Sequence, residues 1–234
     1  HISFLNVGQG DAILIQKGSQ QVLVDGGPSP QEIVLALGKK MPFWDRTIDL
    51  VVLTHPHADH IFGLDDLRRF NMVQRMDMPI YGASKTLDMI RNIFSYVFNN
   101  EPDPGGYKPR FALHTIQDCV NIGGLSILPV DALHGDGEVT GYRLDKFAYI
   151  TDASEIPDRS LKKLKDLDVL VLGALRYIPH VKHFSIEQAL HVIQHVKPRK
   201  AYFTHMCHDI EHEEDNLKLP AGVEFAYDGL IVEF

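Results

Sequence analysis

An apolar strand that ends in a cluster of metal-binding side chains constrains this chain more than any other feature. Ile48-Asp49-Leu50-Val51-Val52-Leu53-Thr54 runs directly into His55-Pro56-His57-Ala58-Asp59-His60, and a helix-like stretch follows to Leu67. Three imidazoles and a carboxylate within six residues suit borderline divalent ions such as zinc or manganese, which take nitrogen and oxygen donors. Ligands at the first and third positions of a turn can converge on one ion while those at the fifth and sixth face another. The spacing therefore permits two adjacent metals. The competing reading is a polar strand-to-helix loop in which Asp59 merely caps the helix; three histidines so spaced behind a buried strand argue against it.

Composition limits the class of protein. The 234 residues suit one α/β catalytic domain spanning 1–234, and 44% hydrophobic with 23% charged residues is ordinary for a globular enzyme. A formal net charge of −8 argues against a general electrostatic grip on nucleic acid, which needs clustered Lys and Arg. Two cysteines, Cys119 and Cys207, provide neither a disulfide framework nor a CxxC metal site, which fits a reducing, cytoplasmic compartment. No apolar run is long enough to cross a bilayer and no basic signal peptide is evident. The chain begins abruptly in a strand, which leaves room for a start upstream of His1.

The pattern of apolar residues alternates strands with helices. Short strands are expected at Ile2–Val7, Ala12–Gln16 and Gln21–Asp25, with Gly8, Gly10, Gly26 and Gly27 marking the turns. Helices are expected at Gln31–Lys40, Gly63–Phe70, Ser84–Asn100 and Ser185–Val196. Further strands are expected at Phe111–Thr115, Leu125–Val130, Phe147–Ile150, Val169–Leu172, Ala201–Thr204 and Leu230–Phe234. Gly8-Gln9-Gly10-Asp11 is a weak phosphate loop, because no GKT or GxGxxG pattern accompanies it. His191 and His195, four apart on a helix, read as solvated or packed.

The HxHxDH motif behind its strand resembles the metallo-β-lactamase superfamily, which implies an α/β fold, a four-layer αββα sandwich with a binuclear site at one edge. Carried over residue by residue, the resemblance assigns His55 and His57 to one ion and Asp59 and His60 to the other. It supplies three more ligands, each after a strand: His134 for the first ion, Asp152 as the bridge, and His205 for the second. Taken alone, each of these reads as an ordinary loop or turn residue. Asp25, in Val24-Asp25-Gly26-Gly27, is placed to orient a ligand imidazole.

Two branches are represented. Residues 2–60, with Phe4-Leu5-Asn6-Val7-Gly8-Gln9-Gly10-Asp11-Ala12, look like the metallohydrolase domain of competence (ComEC-like) proteins. From Ile61 onward the chain is similar to the cyclic phosphodiesterase (PhnP-like) branch, through Tyr149-Ile150-Thr151-Asp152, Ala174-Leu175-Arg176, Pro179-His180 to His183, and Thr204-His205-Met206. It lacks the cysteine-rich loop with which relatives in that branch often begin. His183-Phe184-Ser185 also resembles the catalytic histidine segment of transfer-RNA 3′-processing endonucleases.

These likenesses imply hydrolysis of a small or cyclic phosphodiester using two divalent ions. Asp59 and Asp152 would serve the metals, and His183 would donate a proton, with His180 in reserve for that role and, with Arg176, expected to bind substrate. The alternatives are a nuclease, a lactam or thioester hydrolase, or a metal-binding mosaic chain without activity. A homodimer is compatible with the sequence. Tyr96, Phe98 and Tyr107 read either as a lid over the sugar or as ordinary packing of an insertion.

Overall fold

Strands that are apolar on both faces need cover on both sides, and the chain's near-continuous runs such as Val22-Leu23-Val24 and Leu50-Val51-Val52-Leu53 are of this kind. A computed structural model describes residues 1–99, 101–103, 105–106 and 108–234. In chain order its strands are β1 (Ile2–Phe4), β2 (Ile13–Lys17), β3 (Gln20–Val24), β4 (Leu50–Leu53), β5 (Met78–Gly82), β6 (Phe111–Thr115) and β7 (Val120–Ile122). They continue as β8 (Leu125–His134), β9 (Gly137–Leu144), β10 (Phe147–Ile150), β11 (Val169–Gly173), β12 (Lys200–Thr204), β13 (Val223–Phe225) and β14 (Ile231–Val232). The helices are α1 (Pro30–Lys40), α2 (Ala58–Ile61), α3 (Arg68–Gln74), α4 (Ser84–Ile93), α5 (Ser95–Phe98), α6 (Asp158–Leu161), α7 (Ile186–Val196) and α8 (His212–Asn216).

The chain divides into two compact units, residues 1–117 with 228–233, and residues 118–227 with 234. The first holds a seven-stranded sheet in the order β14-β1-β2-β3-β4-β5-β6. Its β14 to β3 edge is antiparallel and its β3 to β6 part is parallel. All four side chains of β4 are buried, each worth roughly 1.5–3 kcal/mol on transfer from water. Val51 and Leu53, on one face of the strand, join Leu14, Leu23, Ile33, Leu37 and Leu64 in one apolar cluster. Ser29 caps α1, accepting from the Glu32 amide at 3.4 Å, while Pro30 occupies the first turn, where its missing N–H costs nothing.

The second unit has the order β13-β12-β11-β10-β9-β8-β7, antiparallel from β7 to β10 and parallel from β10 to β13. Its core gathers Val130, Ala148, Ile150, Leu170, Leu172, Phe203 and Phe225. Ser185 caps α7 in a reciprocal capping box with Gln188, as a Ser at that position favours.

Several expected boundaries move for identifiable reasons. β8 continues past Val130 to His134 because β9, not expected from the sequence, pairs with it from Ile127↔Leu144 to His134↔Gly137. The helix expected over Ser84–Asn100 breaks at Phe94, whose ψ of 38° leaves the helical region, and Asn100 lies outside the described residues. The stretch expected as a helix from Gly63 to Phe70 begins as a 3-10 segment, Phe62–Leu67, and becomes α-helical at Arg68. β5 and β13 were also unforeseen; β5 carries Pro79, which reads against a strand in a lone sequence.

Candidate metal centre

Asp25, His55, Asp152 and His205 follow strands of the parallel parts of the sheets, the place where an open α/β sheet leaves loops unpacked and backbone groups unpaired, while His134 ends the antiparallel strand β8. In the first unit, β3 leads directly into Asp25 and β4 leads through Thr54 into His55. Asp25 adopts a left-handed φ of 57°. Its buried carboxylate collects three donors: the Thr54 amide at 2.8 Å, the Thr54 hydroxyl at 2.6 Å and His60 Nδ1 at 2.9 Å. Burial pushes the Asp25 carboxyl up, against the downward pull of His60 and Thr54.

Those bonds set the ring tautomers. The Thr54 hydroxyl spends its proton on Asp25, so it accepts from His55 Nδ1 at 3.0 Å. His55 Nε2 therefore carries the lone pair, and it lies 3.0 Å from His57 Nδ1. By the same reasoning, a proton on His60 Nδ1 leaves the lone pair on Nε2, which lies 3.5 Å from an Asp59 carboxylate oxygen. An imidazole whose outer N–H is held by an acceptor presents its other nitrogen in the state a metal requires. Asp59 does not cap the helix: His57 occupies the N-cap of α2, and no side-chain cap bond is made there.

Glycine makes this half-site possible at two points. A Cβ on Gly63 would fall 1.9 Å from the Gly26 carbonyl oxygen, and one on Gly10 would fall 2.3 Å from the Asp59 carbonyl oxygen. The first contact lets the start of the 3-10 segment dock on the Asp25-Gly26-Gly27 turn, fastened by Gly26 N to His60 O at 2.6 Å. The second brings Asp11 in, its amide donating to Asp59 O at 3.3 Å and a carboxylate oxygen within 4.8 Å of a His60 ring nitrogen. Sequence reasoning weighed the Gly8–Asp11 loop only for phosphate and missed Asp11; the paired glycines ahead of a carboxylate were the available signal. Asp228, raised by burial and by Asp11 nearby, adds to the negative field.

In the second unit, β10 delivers Asp152, buried and at φ 53°, and β12 delivers His205 at φ 58°. Gly173 allows the Asp152 turn to approach, since a Cβ there would lie 3.0 Å from the Asp152 amide nitrogen. Asp152 Oδ1 lies 3.1 Å from His205 Nδ1 and accepts from the Thr151 hydroxyl at 2.9 Å. His134, at the last position of β8, donates Nδ1–H to Lys182 O at 2.9 Å, so its Nε2 bears the lone pair. Donor atoms of His134, Asp152 and His183 lie within 4.8 Å of one another.

His183 packs among imidazoles: stacked on His205 at 5.1 Å, edge-on to His134 at 4.7 Å and tilted against His180 at 5.1 Å. Its Nδ1 stands 4.0 Å from Asp152 Oδ2. Burial, helped by the neighbouring imidazoles and opposed by Asp152, pulls its pKa down to about 4, so the ring is neutral at pH 7. His180 Nδ1 accepts from the Lys182 amide at 3.2 Å, which puts its proton on Nε2. Arg176 turns its Nε back to Ile178 O at 3.2 Å, which holds the backbone of its own segment.

Other expected residues lie elsewhere. Tyr96 donates to Asp65, and Phe98 packs near Phe111 with ring centroids 6.4 Å apart; both favour the packing alternative over a lid, and Tyr107 lies outside the described residues. His191 and His195 are exposed, and Cys119 and Cys207 are free thiols. Among the described residues no helix is long and apolar enough to cross a membrane.

With strand-end His and Asp residues in place, the chain belongs to the beta-lactamase superfamily, whose domain model matches residues 20–206. Within it the chain belongs to the PhnP family. It is 36% identical to a crystal structure described as a new diphosphatase from that family, with a TM-score of 0.85, covering 97% of this chain and 85% of that one. That likeness runs through both the first sixty residues and the rest. An octanoyltransferase from Porphyromonas gingivalis is 29% identical over 222 residues, 93% of this chain and 43% of that protein. Exodeoxyribonuclease YycJ from Bacillus anthracis is 26% identical over 176 residues, 73% of this chain and 61% of that protein. The chain thus spans under two thirds of these curated relatives. The α/β class expected from the sequence, the αββα metallo-β-lactamase sandwich, is the fold of this family, a fold of metal-dependent hydrolases.

Proposed function

We propose that the chain hydrolyses a small or cyclic phosphodiester, or a related diphosphate ester, with two divalent ions. The observation that carries this reading is the tautomer pattern: His55, His60 and His134 each have Nδ1–H held by an acceptor, which turns Nε2 outward as a ligand. Zinc or manganese held by His55, His57 and His134, and by Asp59, His60 and His205, with Asp152 shared, would supply Lewis acidity and an activated water for attack at phosphorus. The protein's own groups do the rest. His183, at the edge of the Asp152 cluster, would take up a proton as a phosphate anion docks beside it, an opposite charge favouring the imidazolium over the neutral ring, and pass that proton to the leaving oxygen, while His180 presents Nε2–H to a phosphoryl oxygen. The terminal amines of Arg176 offset phosphoryl charge while its Nε holds the segment in shape.

The diphosphatase relative supports phosphorus as the centre attacked, and the net charge of −8 supports a small substrate over DNA or RNA. Free cysteines support a cytoplasmic setting, and a homodimer fits the reading without being required by it. Protein purified without chelator is assayed on bis-p-nitrophenyl phosphate, a cyclic nucleotide, a diphosphate ester, a lactam and single-stranded DNA. Turnover of the phosphorus esters above the lactam and DNA is expected, and faster lactam or DNA turnover overturns the reading. His183→Ala should keep its metal and lose about two to four orders of magnitude on an alkoxide-leaving ester, with a smaller loss on the p-nitrophenyl ester.

A further inference from the structure

The segment from Leu175 to Phe184 carries Arg176, His180 and His183, yet little apolar burial holds it. Ile178 is 67% exposed and Val181 is 85% exposed. Its order therefore rests on polar ties. Leu175 and Phe184 close its base, Leu175 N bonding to Phe184 O at 2.9 Å and Phe184 N to Ala153 O at 2.7 Å. Near its end, Lys182 O is held by His134. Between these, the Arg176 to Ile178 and Lys182 to His180 bonds stay inside the segment.

One tie reaches out from the middle. The Tyr177 hydroxyl donates to Asp215 Oδ1 at 2.9 Å, across 38 positions of sequence. Among the described residues it is the hydrogen bond that joins 177–181 to an element outside the segment. Asp215, on α8, is buried, and its carboxylate is fixed in turn by the Glu211 amide at 2.8 Å and by Lys218 Nζ at 2.6 Å. A charged acceptor already immobilised by two other donors makes a stiffer anchor than a neutral one. Sequence reading had no signal for this contact, since neither Tyr177 nor Asp215 lies in a recognisable motif.

We propose that Tyr177 and Asp215, with Lys218 behind them, are positioning residues that hold the His180–His183 pair in register for proton delivery to the leaving oxygen. This rests on the reading of His183 as proton donor. Neither side chain touches substrate in this account; they act by restricting the segment between Arg176 and Lys182. A displacement of about 1 Å in a reacting group costs up to about a hundredfold in rate, so loss of one anchor bond is visible in turnover.

The test uses the metal-loaded protein and two phosphodiesters, one with p-nitrophenolate and one with an alkoxide as leaving group. Tyr177→Phe keeps the ring and removes the bond. It is expected to lower kcat on the alkoxide substrate by roughly ten- to a hundredfold, to change the p-nitrophenyl rate far less, and to leave metal content unaltered. Asp215→Asn, which retains an acceptor oxygen, should recover part of what Asp215→Ala loses. Should Asp215→Ala fail to fold, Lys218→Gln, at an exposed position, should show a smaller split of the same sign. Equal losses on both substrates, or none, while His183→Ala shows the split, overturn the positioning role alone. If His183→Ala itself shows no split, the proton-donor reading falls and this proposal falls with it.

Discussion

His60 Nδ1 and Asp25 Oδ2 meet at 2.9 Å with both side chains fully buried, a carboxylate–imidazole pair that fixes which ring nitrogen faces outward. Asp25→Asn tests it, because Asn accepts the left-handed backbone at this position and still takes the Thr54 amide bond. Its amide places N–H where Oδ2 stood, so His60 is turned to the wrong tautomer. Metal affinity, measured by competition with a chromophoric chelator, should fall about 10- to 100-fold. Unchanged affinity would show that the pair serves folding only.

Asp152 is predicted to matter to both ions, in contrast to the imidazoles. Asp152→Ala should leave protein purified without chelator with little metal by elemental analysis, because a shared carboxylate also offsets repulsion between two cations. His134→Ala should lose metal from one site only. If Asp152→Ala retains full metal content, the bridging assignment is wrong.

Gly63 is predicted to be intolerant of a methyl group although its backbone is not left-handed. A Cβ at 1.9 Å from the Gly26 carbonyl oxygen must push the 3-10 segment off the Asp25 turn. Gly63→Ala should lower stability by roughly 1–3 kcal/mol in denaturant melts and weaken metal binding as well, since His60 shifts with the segment. A midpoint equal to that of the unaltered protein would mean the turn yields easily.

Asp215 sets a pH window for the anchor of the histidine segment. The Lys218 ammonium holds its carboxyl below the ordinary 3.8. A carboxyl whose folded pKa lies under its unfolded value stabilises the fold at every pH above 3.8, and that contribution disappears as pH falls through the lower folded value. The difference in thermal midpoint between the unaltered protein and Asp215→Asn should therefore be flat from neutral pH to about 3.8 and shrink below it. Shrinkage that begins well above 3.8 would place the transition on other groups.

Short-range chemistry was legible in the sequence. His55, His57, Asp59 and His60 stand out as candidate ligands because all four lie within six residues behind one apolar strand. The Ser185 cap of α7 was readable for the same reason, a hydroxyl at a helix start. His134, Asp152 and His205 required the family likeness, because each is a single polar residue after a strand and looks locally like any turn. The structure places each at such an end, with Asp152 and His205 in left-handed backbone.

What only the tertiary structure decided is which distant groups meet. β9 was missed because its Gly141, strained by no local rule, is needed only where a Cβ would strike Ile150 on the neighbouring strand. Asp11 reaches the Asp59 carbonyl because Gly10 lets two backbones touch, and Tyr177 finds Asp215 across 38 residues. Local preference is carried by a residue and its near neighbours, whereas a ring tautomer, a buried carboxylate or a loop anchor is set by whichever donor the packed chain brings within 3 Å. The sequence by itself determined the donor types and the strand ends that present them; the packing of remote segments determined which proton each imidazole carries and what holds the His180–His183 segment in place.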